Sequence, residues 1–98
     1  MARYQVHRSD TNAKDLKKVA EQLGMSVEEI GRPVDWLVGA YGLTVACEVK
    51  TDKGKLRAGQ ESFLRAFKGH ATVLRTVEDV VRLHNRLKWR ADRLSVSW

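Results

Sequence analysis

The feature that most constrains the fold is a pair of β-rich runs, VDWLVGA and LTVACEVK, with only Tyr41 and Gly42 between them. A connection this short leaves room for a tight turn alone, which predicts an antiparallel hairpin. Alternate side chains of a strand share a face. In the second run one face carries the apolar set Leu43, Val45, Cys47 and Val49. The hairpin is therefore predicted to form the centre of a sheet, with this set in the core.

The opposite face of the second run becomes charged only where the run ends, at Glu48 and Lys50. These residues are two positions apart, so their side chains leave the same face about 6.6 Å from each other. Asp35 opens the first run, and antiparallel pairing sets the start of one strand opposite the end of the next. Asp35, Glu48 and Lys50 are therefore predicted to converge at one edge of the sheet.

This grouping of charges predicts a metal site. Two neighbouring carboxylates repel each other, and a hard divalent cation with oxygen ligands, most often Mg²⁺ in phosphate chemistry, relieves that repulsion. A nearby lysine can then orient or deprotonate a water molecule, or stabilise charge on a phosphate. Gln60 lies in the first turn of the next predicted helix. Its amide is expected near the strand ends, where it can hold the lysine or a substrate phosphate.

The rest of the chain supplies three helices and two further strands, which gives the order α-β-β-β-α-β-α in one α/β domain over residues 1–98. Apolar periodicity predicts the helices, and Thr76 with Asp79 forms an approximate capping box before the last one. The segments are a helix from Ser9 or Asp10 to Gly24, the ambiguous MSVEEI, interpreted as a strand, the helix QESFLRAFKG, the strand HATVLRT and the helix VEDVVRLHNRLKWRADRL.

Composition restricts the class of partner. The 98 residues carry 18 lysines and arginines against 12 aspartates and glutamates, a net charge of +6, which favours a polyanion such as nucleic acid, with an anionic membrane surface as the alternative. No stretch reaches the roughly 18 apolar residues of a membrane span, and the N-terminus has no apolar leader, so a soluble intracellular protein is expected. Cys47 is the single cysteine, and its place in a strand predicts a small buried hydrophobe in a reducing compartment.

The stretch VDWLVGAYGLTVACEVKTDKGKLRAGQESF resembles the core of the PD-(D/E)XK nuclease superfamily, and EVKTDKGKLRAGQESFL is similar to its VRR-NUC branch, particularly small phage-encoded members. The resemblance covers roughly residues 10–83. It implies a restriction-endonuclease-like fold with a small mixed sheet flanked by helices. The implied activity is hydrolysis of DNA phosphodiesters with Mg²⁺ or Mn²⁺, in the cytoplasm of a bacterium or a phage-infected host.

The resemblance also implies roles for the residues at the predicted sheet edge. Asp35 and Glu48 would ligate the metal together with the backbone carbonyl of Val49. Lys50 would act on the water and the transition state, and Gln60 would support the site.

Two departures from the family pattern bear on this site. The adjacent Pro-Asp of the family is here Pro33-Val34-Asp35, with one residue between the two. Many members also place a glutamate on the first helix near the metal, where this sequence has Asn12 and Ala13. Asn12 is a candidate substitute, and otherwise one metal ligand is missing.

Other candidate residues give less specific signals. Lys53, Lys55 and Arg57 border the predicted site on a flexible loop, where they either contact DNA phosphates or are only solvated. The basic residues of the last helix form a second DNA-facing stripe or, as we prefer, a solubilising surface. Tryptophans are more often core or interface residues than base-stacking platforms, and the histidines have no ligand spacing. The basic residues are Arg82, Arg86, Lys88, Arg90 and Arg93, the tryptophans are Trp36, Trp89 and Trp98, and the histidines are His7, His70 and His84.

Three functional hypotheses follow. The first is a metal-dependent endonuclease, with branched DNA such as Holliday junctions or flaps as a candidate substrate. The second is an inactive nucleic-acid-binding module of the same fold, and the third is a structural subunit that assembles through its last helix. A domain of this size buries a limited core, and the apolar positions between Val77 and Leu94 exceed what a small sheet can cover. A homodimer through the last helix is therefore expected.

Overall fold

The structure is a computed structural model that describes the backbone of residues 9–96 and the side chains of residues 12–94. Its elements follow the predicted order α-β-β-β-α-β-α. His7, Trp98 and the side chain of Asp10 lie outside the described residues. The elements are α1 (Ser9–Gln22), β1 (Ser26–Glu29), β2 (Trp36–Ala40), β3 (Leu43–Val49), α2 (Ala58–Ala66), β4 (Ala71–Leu74) and α3 (Val77–Val96).

The four strands form one mixed sheet in the order β1-β2-β3-β4. β2 runs antiparallel to both β1 and β3, and β4 runs parallel to β3. The predicted hairpin is confirmed as β2 and β3, with Trp36 opposite Cys47. Tyr41 (φ 55°) and Gly42 (φ 80°) both adopt the left-handed conformation that a two-residue hairpin turn requires. This turn fixes the register of the hairpin and hence which residues meet at its far end.

One face of the sheet packs against α1 and α3, and the main core lies between them. Leu16 on α1 and Leu83 on α3 are each no more than 2% exposed. Cys47 is fully buried within this cluster, and burial raises the pKa of its thiol to about 12, so the thiol stays neutral, as predicted. The cluster comprises Leu16, Ala20, Met25, Val27, Trp36, Val38, Val45, Cys47, Leu74, Val80, Leu83 and Leu87.

The other face of the sheet carries Glu48, and α2 approaches it there. No residue of α2 is fully buried, which leaves this side of the sheet thinly covered. The predicted helix QESFLRAFKG ends earlier than its sequence indicates, because α2 stops at Ala66. Phe67, which follows it, still donates its N–H to the carbonyl of Phe63 at 2.9 Å, and its ring stacks on Phe63 with centroids 4.9 Å apart. Phe67 is 44% exposed.

Both long helices have local signals at one end. Gly24 follows α1 with φ +91°, a conformation that closes a helix and that glycine adopts without strain. At the start of α3, Asp79 Oδ2 accepts hydrogen bonds from the backbone N–H of Arg75 (2.8 Å) and Thr76 (3.1 Å), and Thr76 Oγ1 accepts one from Asp79 N–H. The predicted Thr76–Asp79 capping pair is confirmed. Among the described helices, none is long and apolar enough to cross a bilayer.

Candidate metal centre

Asp35 lies immediately before β2, at the edge where β3 ends. The Trp36–Cys47 pairing continues by one step to set Asp35 opposite Glu48. The backbone N–H of Val49 donates to Asp35 Oδ2 at 2.8 Å, which ties the carboxylate to the end of β3. The backbone carbonyl of Asp35 accepts hydrogen bonds from Ile30 N–H (2.8 Å) and Gly31 N–H (3.2 Å). The residue inserted between Pro33 and Asp35 therefore leaves Asp35 at this edge of the sheet.

Glu48 is the buried carboxylate of this edge, with 2% of its surface exposed. Its Oε2 accepts a hydrogen bond from the Gln60 amide nitrogen and lies 3.9 Å from Lys50 Nζ. The pKa of the Glu48 carboxyl is raised to about 7, first by burial and then by the neighbouring Asp35 carboxyl, while Lys50 opposes both. Near neutral pH this carboxylate is held in an environment that disfavours its charge, which is the condition that a bound cation relieves.

Gln60 links the start of α2 to the buried carboxylate. Its Oε1 accepts a hydrogen bond from Arg57 N–H at 2.8 Å, while its Nε2 donates to Glu48. Because one partner is a donor and the other an acceptor, only this orientation of the amide satisfies both. Gln60 therefore fixes Glu48 against the first turn of α2, in the position near the strand ends that its place in the sequence predicted.

The donors at this edge suit a hard cation. The carboxylates of Asp35 and Glu48 and the backbone carbonyl of Val49 offer oxygen alone, the ligand type that Mg²⁺ and Mn²⁺ bind. Among the side chains that the structure describes, residues 12–94, no set of three or more His, Cys, Asp or Glu is grouped to hold a metal ion. A cation here would therefore depend on two carboxylates, the Val49 carbonyl and water, an arrangement common for Mg²⁺, which retains several waters.

Asn12 occupies the place on α1 where a third acidic ligand was sought. Its amide nitrogen donates to the carbonyl of Lys50 at 2.9 Å and approaches that of Arg75 at 3.4 Å. Since both partners are acceptors, the NH₂ end of the amide must face them. Asn12 therefore binds the backbone at the end of β3, and the interpretation of Asn12 as a substitute metal ligand finds no support in this geometry.

A cleft of about 520 Å³ opens beside Asp35. Ala13, the next residue of α1, forms part of its wall, so a longer acidic side chain at position 13 would enter the space beside Asp35. Glu29 also lies on the wall, and its carboxylate pairs with Lys17 at 2.7 Å. The residues that line the cleft are Ala13, Glu29, Ile30, Gly31, Asp35, Trp36 and Val49.

The segment from residue 50 to residue 57, called here the β3–α2 loop, carries the predicted phosphate-binding residues. Lys53, Lys55 and Arg57 are all exposed, and the loop runs from Lys50 to the first turn of α2, so they border the metal edge. At its start the loop contains a hydrogen-bonded turn, in which the N–H of Gly54 donates to the carbonyl of Thr51 (3.1 Å), and Arg75 binds the backbone of this turn.

Arg75 is the residue of this region that sequence reasoning missed. Its guanidinium donates to the carbonyls of Thr51 (2.9 Å) and Gly54. The two partners are more than 20 positions away in sequence, and no spacing or motif marks an arginine at the end of β4. The parallel pairing of β3 with β4 creates the contact, so the signal lies in the tertiary structure alone.

Two further candidates lie away from the metal edge. His84 Nε2 pairs with the Tyr41 hydroxyl at 2.7 Å beside the hairpin turn, and Trp89 is 59% exposed beneath the Arg93 guanidinium, 4.7 Å from its ring centroid. Trp36, which follows Asp35 and lines the cleft, is buried in the core. The expectation of a structural role therefore fits Trp36, and Trp89 lies on a surface of α3.

Three comparisons with known proteins bear on the fold. Neither a protein family profile nor a curated protein matches the sequence. Among solved structures, one described as a VRR_NUC domain matches with a TM-score of 0.61 and 25% sequence identity, over 76% of this chain and 91% of that one. The four-stranded mixed sheet with its flanking helices agrees with that likeness. The resemblance seen in the sequence is thereby confirmed at the level of the fold, and the chain has the architecture of a VRR-NUC-like nuclease domain.

Proposed function

We propose that the protein is a metal-dependent endonuclease that hydrolyses DNA phosphodiester bonds. The observation that carries the proposal is the buried Glu48 carboxylate beside Asp35, contacted by both Gln60 and Lys50. A buried carboxylate with a raised pKa is typical of functional sites. On a VRR-NUC-like fold, this cluster at one edge of the sheet supports a hydrolytic metal centre rather than a structural ion pair.

In this proposal Asp35, Glu48 and the carbonyl of Val49 hold Mg²⁺ or Mn²⁺. The metal supplies Lewis-acid stabilisation of the phosphate and lowers the pKa of a bound water. Gln60 and Lys50 both engage Oε2 of Glu48, so Oε1 is the oxygen that we expect to face the cation. Val49 N–H likewise holds Oδ2 of Asp35, which orients the second carboxylate before any metal arrives.

Lys50 has a separate role in this proposal. Its side chain is 17% exposed, so the ammonium is largely withdrawn from solvent at the mouth of the site. At 3.9 Å from Glu48 the contact is too long for a strong charge-assisted hydrogen bond. The ammonium therefore retains donor capacity for a water molecule or a phosphate oxygen, and we assign it to orienting the water and stabilising charge in the transition state.

DNA is the proposed substrate because the charge around the site is complementary to it. The chain carries a net charge of +6, and Lys53, Lys55 and Arg57 project from the β3–α2 loop beside the metal edge. Contacts of this type position a phosphate backbone without reading its sequence. Affinity should accordingly fall steeply with salt.

The assembly that we propose is a homodimer through α3. Val77 (42% exposed), Val81 (36%) and Trp89 (59%) are exposed apolar side chains of this helix. Val77 and Val81 are about one turn apart and lie along one stripe, and Trp89 lies about 120° around the helix from Val77. A two-fold pairing through this surface would cover apolar area and set two metal sites in symmetric orientation. That arrangement suits branched DNA, in which two strands are cut.

An inactive nucleic-acid-binding module is the second candidate. The observation that favours it is Ala13, which stands where many members of the resembled family have a glutamate, so that the metal edge has two carboxylates in its described part. Such a module would need the basic loop and not the metal. DNA binding without cleavage in every divalent cation would support this candidate.

The deciding experiment incubates the purified chain with labelled linear, flap and four-way DNA in Mg²⁺, Mn²⁺ or EDTA. We expect cleavage with either metal, none in EDTA, and faster cutting of branched than of linear DNA. Glu48→Gln is the matched control for a contaminating nuclease. Binding without cleavage would support the second candidate, whereas absence of DNA affinity at low salt would favour a structural subunit. Light scattering that returned a monomer of 11.2 kDa would exclude the dimer.

A further inference from the structure

The backbone of Lys50 is held from two sides by other elements. Its N–H donates to the carbonyl of Leu74 at 3.0 Å, the last contact between β3 and β4. Its carbonyl accepts the Asn12 amide at 2.9 Å. Both polar groups of the peptide at Lys50 are therefore satisfied by residues far away in sequence, one from β4 and one from α1.

The turn that follows Lys50 is held by Arg75. The guanidinium Nη1 donates to the carbonyls of Thr51 and Gly54, the two residues that close the turn. Arg75 is itself fixed, because its backbone N–H donates to Asp79 Oδ2 at 2.8 Å at the start of α3. A Cβ at Gly54 would lie 2.9 Å from Thr51 Oγ1, which shows how tightly this turn closes.

The side chain of Lys50 is held less by polar contacts than by its surroundings. Its ammonium is 3.9 Å from Glu48 Oε2, and the side chain is 17% exposed. Because packing limits the directions that a largely covered side chain can take, the position of the ammonium depends on where the backbone of Lys50 is held.

We propose that Asn12 and Arg75, named here the loop clamp, are positioning residues that hold Lys50 in place for the hydrolysis step. The inference rests on the proposed nuclease function. Asn12 fixes the peptide of Lys50 directly, and Arg75 fixes the turn that follows it. The hydrogen bonds described for their side chains go to backbone carbonyls and not to the carboxylates of Asp35 and Glu48. A misplacement of about 1 Å in a reacting group can lower a rate by about 100-fold, so the clamp acts on turnover more than on DNA affinity.

The test compares Arg75→Met, which keeps much of the length of the side chain and removes its donors, with Arg86→Met, which removes the same charge from the exposed surface of α3. We expect single-turnover cleavage at saturating DNA and Mg²⁺ to fall about 10- to 100-fold in Arg75→Met, with DNA affinity changed less than about threefold. Arg86→Met should retain the rate. Asn12→Ala should lower the rate in the same way, and the double variant should lose less than the product of the two single losses.

Amide hydrogen exchange gives a readout that is independent of cleavage. We expect exchange at Gly54 and its neighbours in the β3–α2 loop to accelerate in Arg75→Met and to stay unchanged in Arg86→Met. If the wild-type protein cleaves no DNA, the nuclease proposal fails, and exchange in this loop alone decides whether the clamp exists. Should Arg75→Met fail to fold, Asn12→Ala carries the test, since it removes the donor to the Lys50 carbonyl without changing the charge and is followed by the same exchange measurement.

Two results would overturn the inference. The first is a cleavage rate in the Arg75 variant within about twofold of the wild type. The second is an equal loss of rate and of DNA affinity with unchanged exchange in the loop, which would make Arg75 a contributor to the charge around the DNA and not a positioning residue.

Discussion

Strand β3 buries two consecutive side chains, Cys47 and Glu48, on its opposite faces, and neither is more than 2% exposed. Cys47 lies among apolar side chains under α1 and α3. Glu48 lies at the edge approached by α2, among Asp35, Lys50 and Gln60. Equal burial therefore has opposite chemical meaning on the two faces. Burial keeps the Cys47 thiol neutral, whereas it leaves the Glu48 carboxyl with a pKa of about 7, near the pH at which it would have to act.

Burial thus stabilises one face of β3 and raises the free energy of the other. Removing an apolar side chain from water is favourable by about 1.5–3 kcal/mol for a large residue. Burying a carboxylate is unfavourable unless partners compensate it, and here one hydrogen bond and one long ion pair do so only in part. Substitutions on the apolar face should therefore change stability, and substitutions on the carboxylate face should change activity.

The largest effect is expected for Glu48→Gln, which removes a charge from the metal edge with little change in volume. Metal stabilisation of a phosphoryl transition state is worth several kcal/mol, so cleavage should fall about 1,000-fold, while the melting temperature of the metal-free protein stays equal or rises. Asp35→Asn should lose activity to a similar degree. Full activity in both variants would exclude the proposed metal site.

The apolar face should respond in the reverse way. Leu83→Ala removes a 2% exposed side chain and should lower the free energy of unfolding by about 3 kcal/mol, with turnover of the folded fraction unchanged within about twofold. Leu37→Ala, at a 39% exposed position of β2 on the same face as Glu48, is the control for the stability loss alone and should cost about 1 kcal/mol. Urea unfolding measures the stability of both variants, and a cleavage assay at low temperature measures their turnover. A large activity loss in folded Leu83→Ala would erase the distinction between the two faces.

Lys50→Ala separates two roles within the carboxylate face, metal binding and action on the water. The variant should still bind Mg²⁺ and DNA, because Lys50 is not assigned as a ligand, but it should turn over about 100-fold more slowly. Titration calorimetry for the metal and single-turnover cleavage test the two halves of this expectation. Collapse of metal affinity would show that Lys50 supports the site and does not act on the water.

The raised pKa of Glu48 makes stability depend on pH. Its folded-state pKa is about 7 against an ordinary value of 4.5, so the folded state binds the proton more tightly than the unfolded state does. This contribution to stability is fully present below about pH 4.5, is lost as pH rises to about 7, and changes little above that. Between about pH 5.5 and pH 8, the metal-free protein should lose about 2 kcal/mol from this group.

Urea unfolding in EDTA at the two pH values, with Glu48→Gln as the reference, isolates this contribution. The stability difference between variant and wild type should grow by about 2 kcal/mol toward pH 8. Mg²⁺ should stabilise the wild type mainly above pH 7, since it binds the ionised carboxylate. A difference that stayed constant with pH would mean that Glu48 titrates as it does in water.

The contrast between the faces also explains what the sequence could predict. Tyr41 and Gly42 form a local turn, and that turn determines the register of the hairpin. Because the register by itself brings Asp35 opposite Glu48, the metal edge could be predicted from one hairpin. Arg75 reaches the β3–α2 loop only because β4 pairs beside β3, a non-local event without a sequence pattern. The end of α2 at Ala66 was missed, because helix ends are the least certain element boundaries.

The smallest effect is expected for a charge placed on α1, a helix that otherwise packs against the apolar face. Ala13 lines the cleft beside Asp35 and is partly buried against the core, so Ala13→Glu would bring a third carboxylate toward the cation. Mg²⁺ affinity should rise about tenfold, because an added anionic oxygen ligand strengthens binding of a hard cation. Without metal the same variant should be about 1 kcal/mol less stable, because three carboxylates then repel one another. Ala13→Gln has nearly the same size and no charge, and it should show neither change. Equal Mg²⁺ affinity in the Glu and Gln variants, measured by titration calorimetry, would show that the cation does not lie within reach of this cleft.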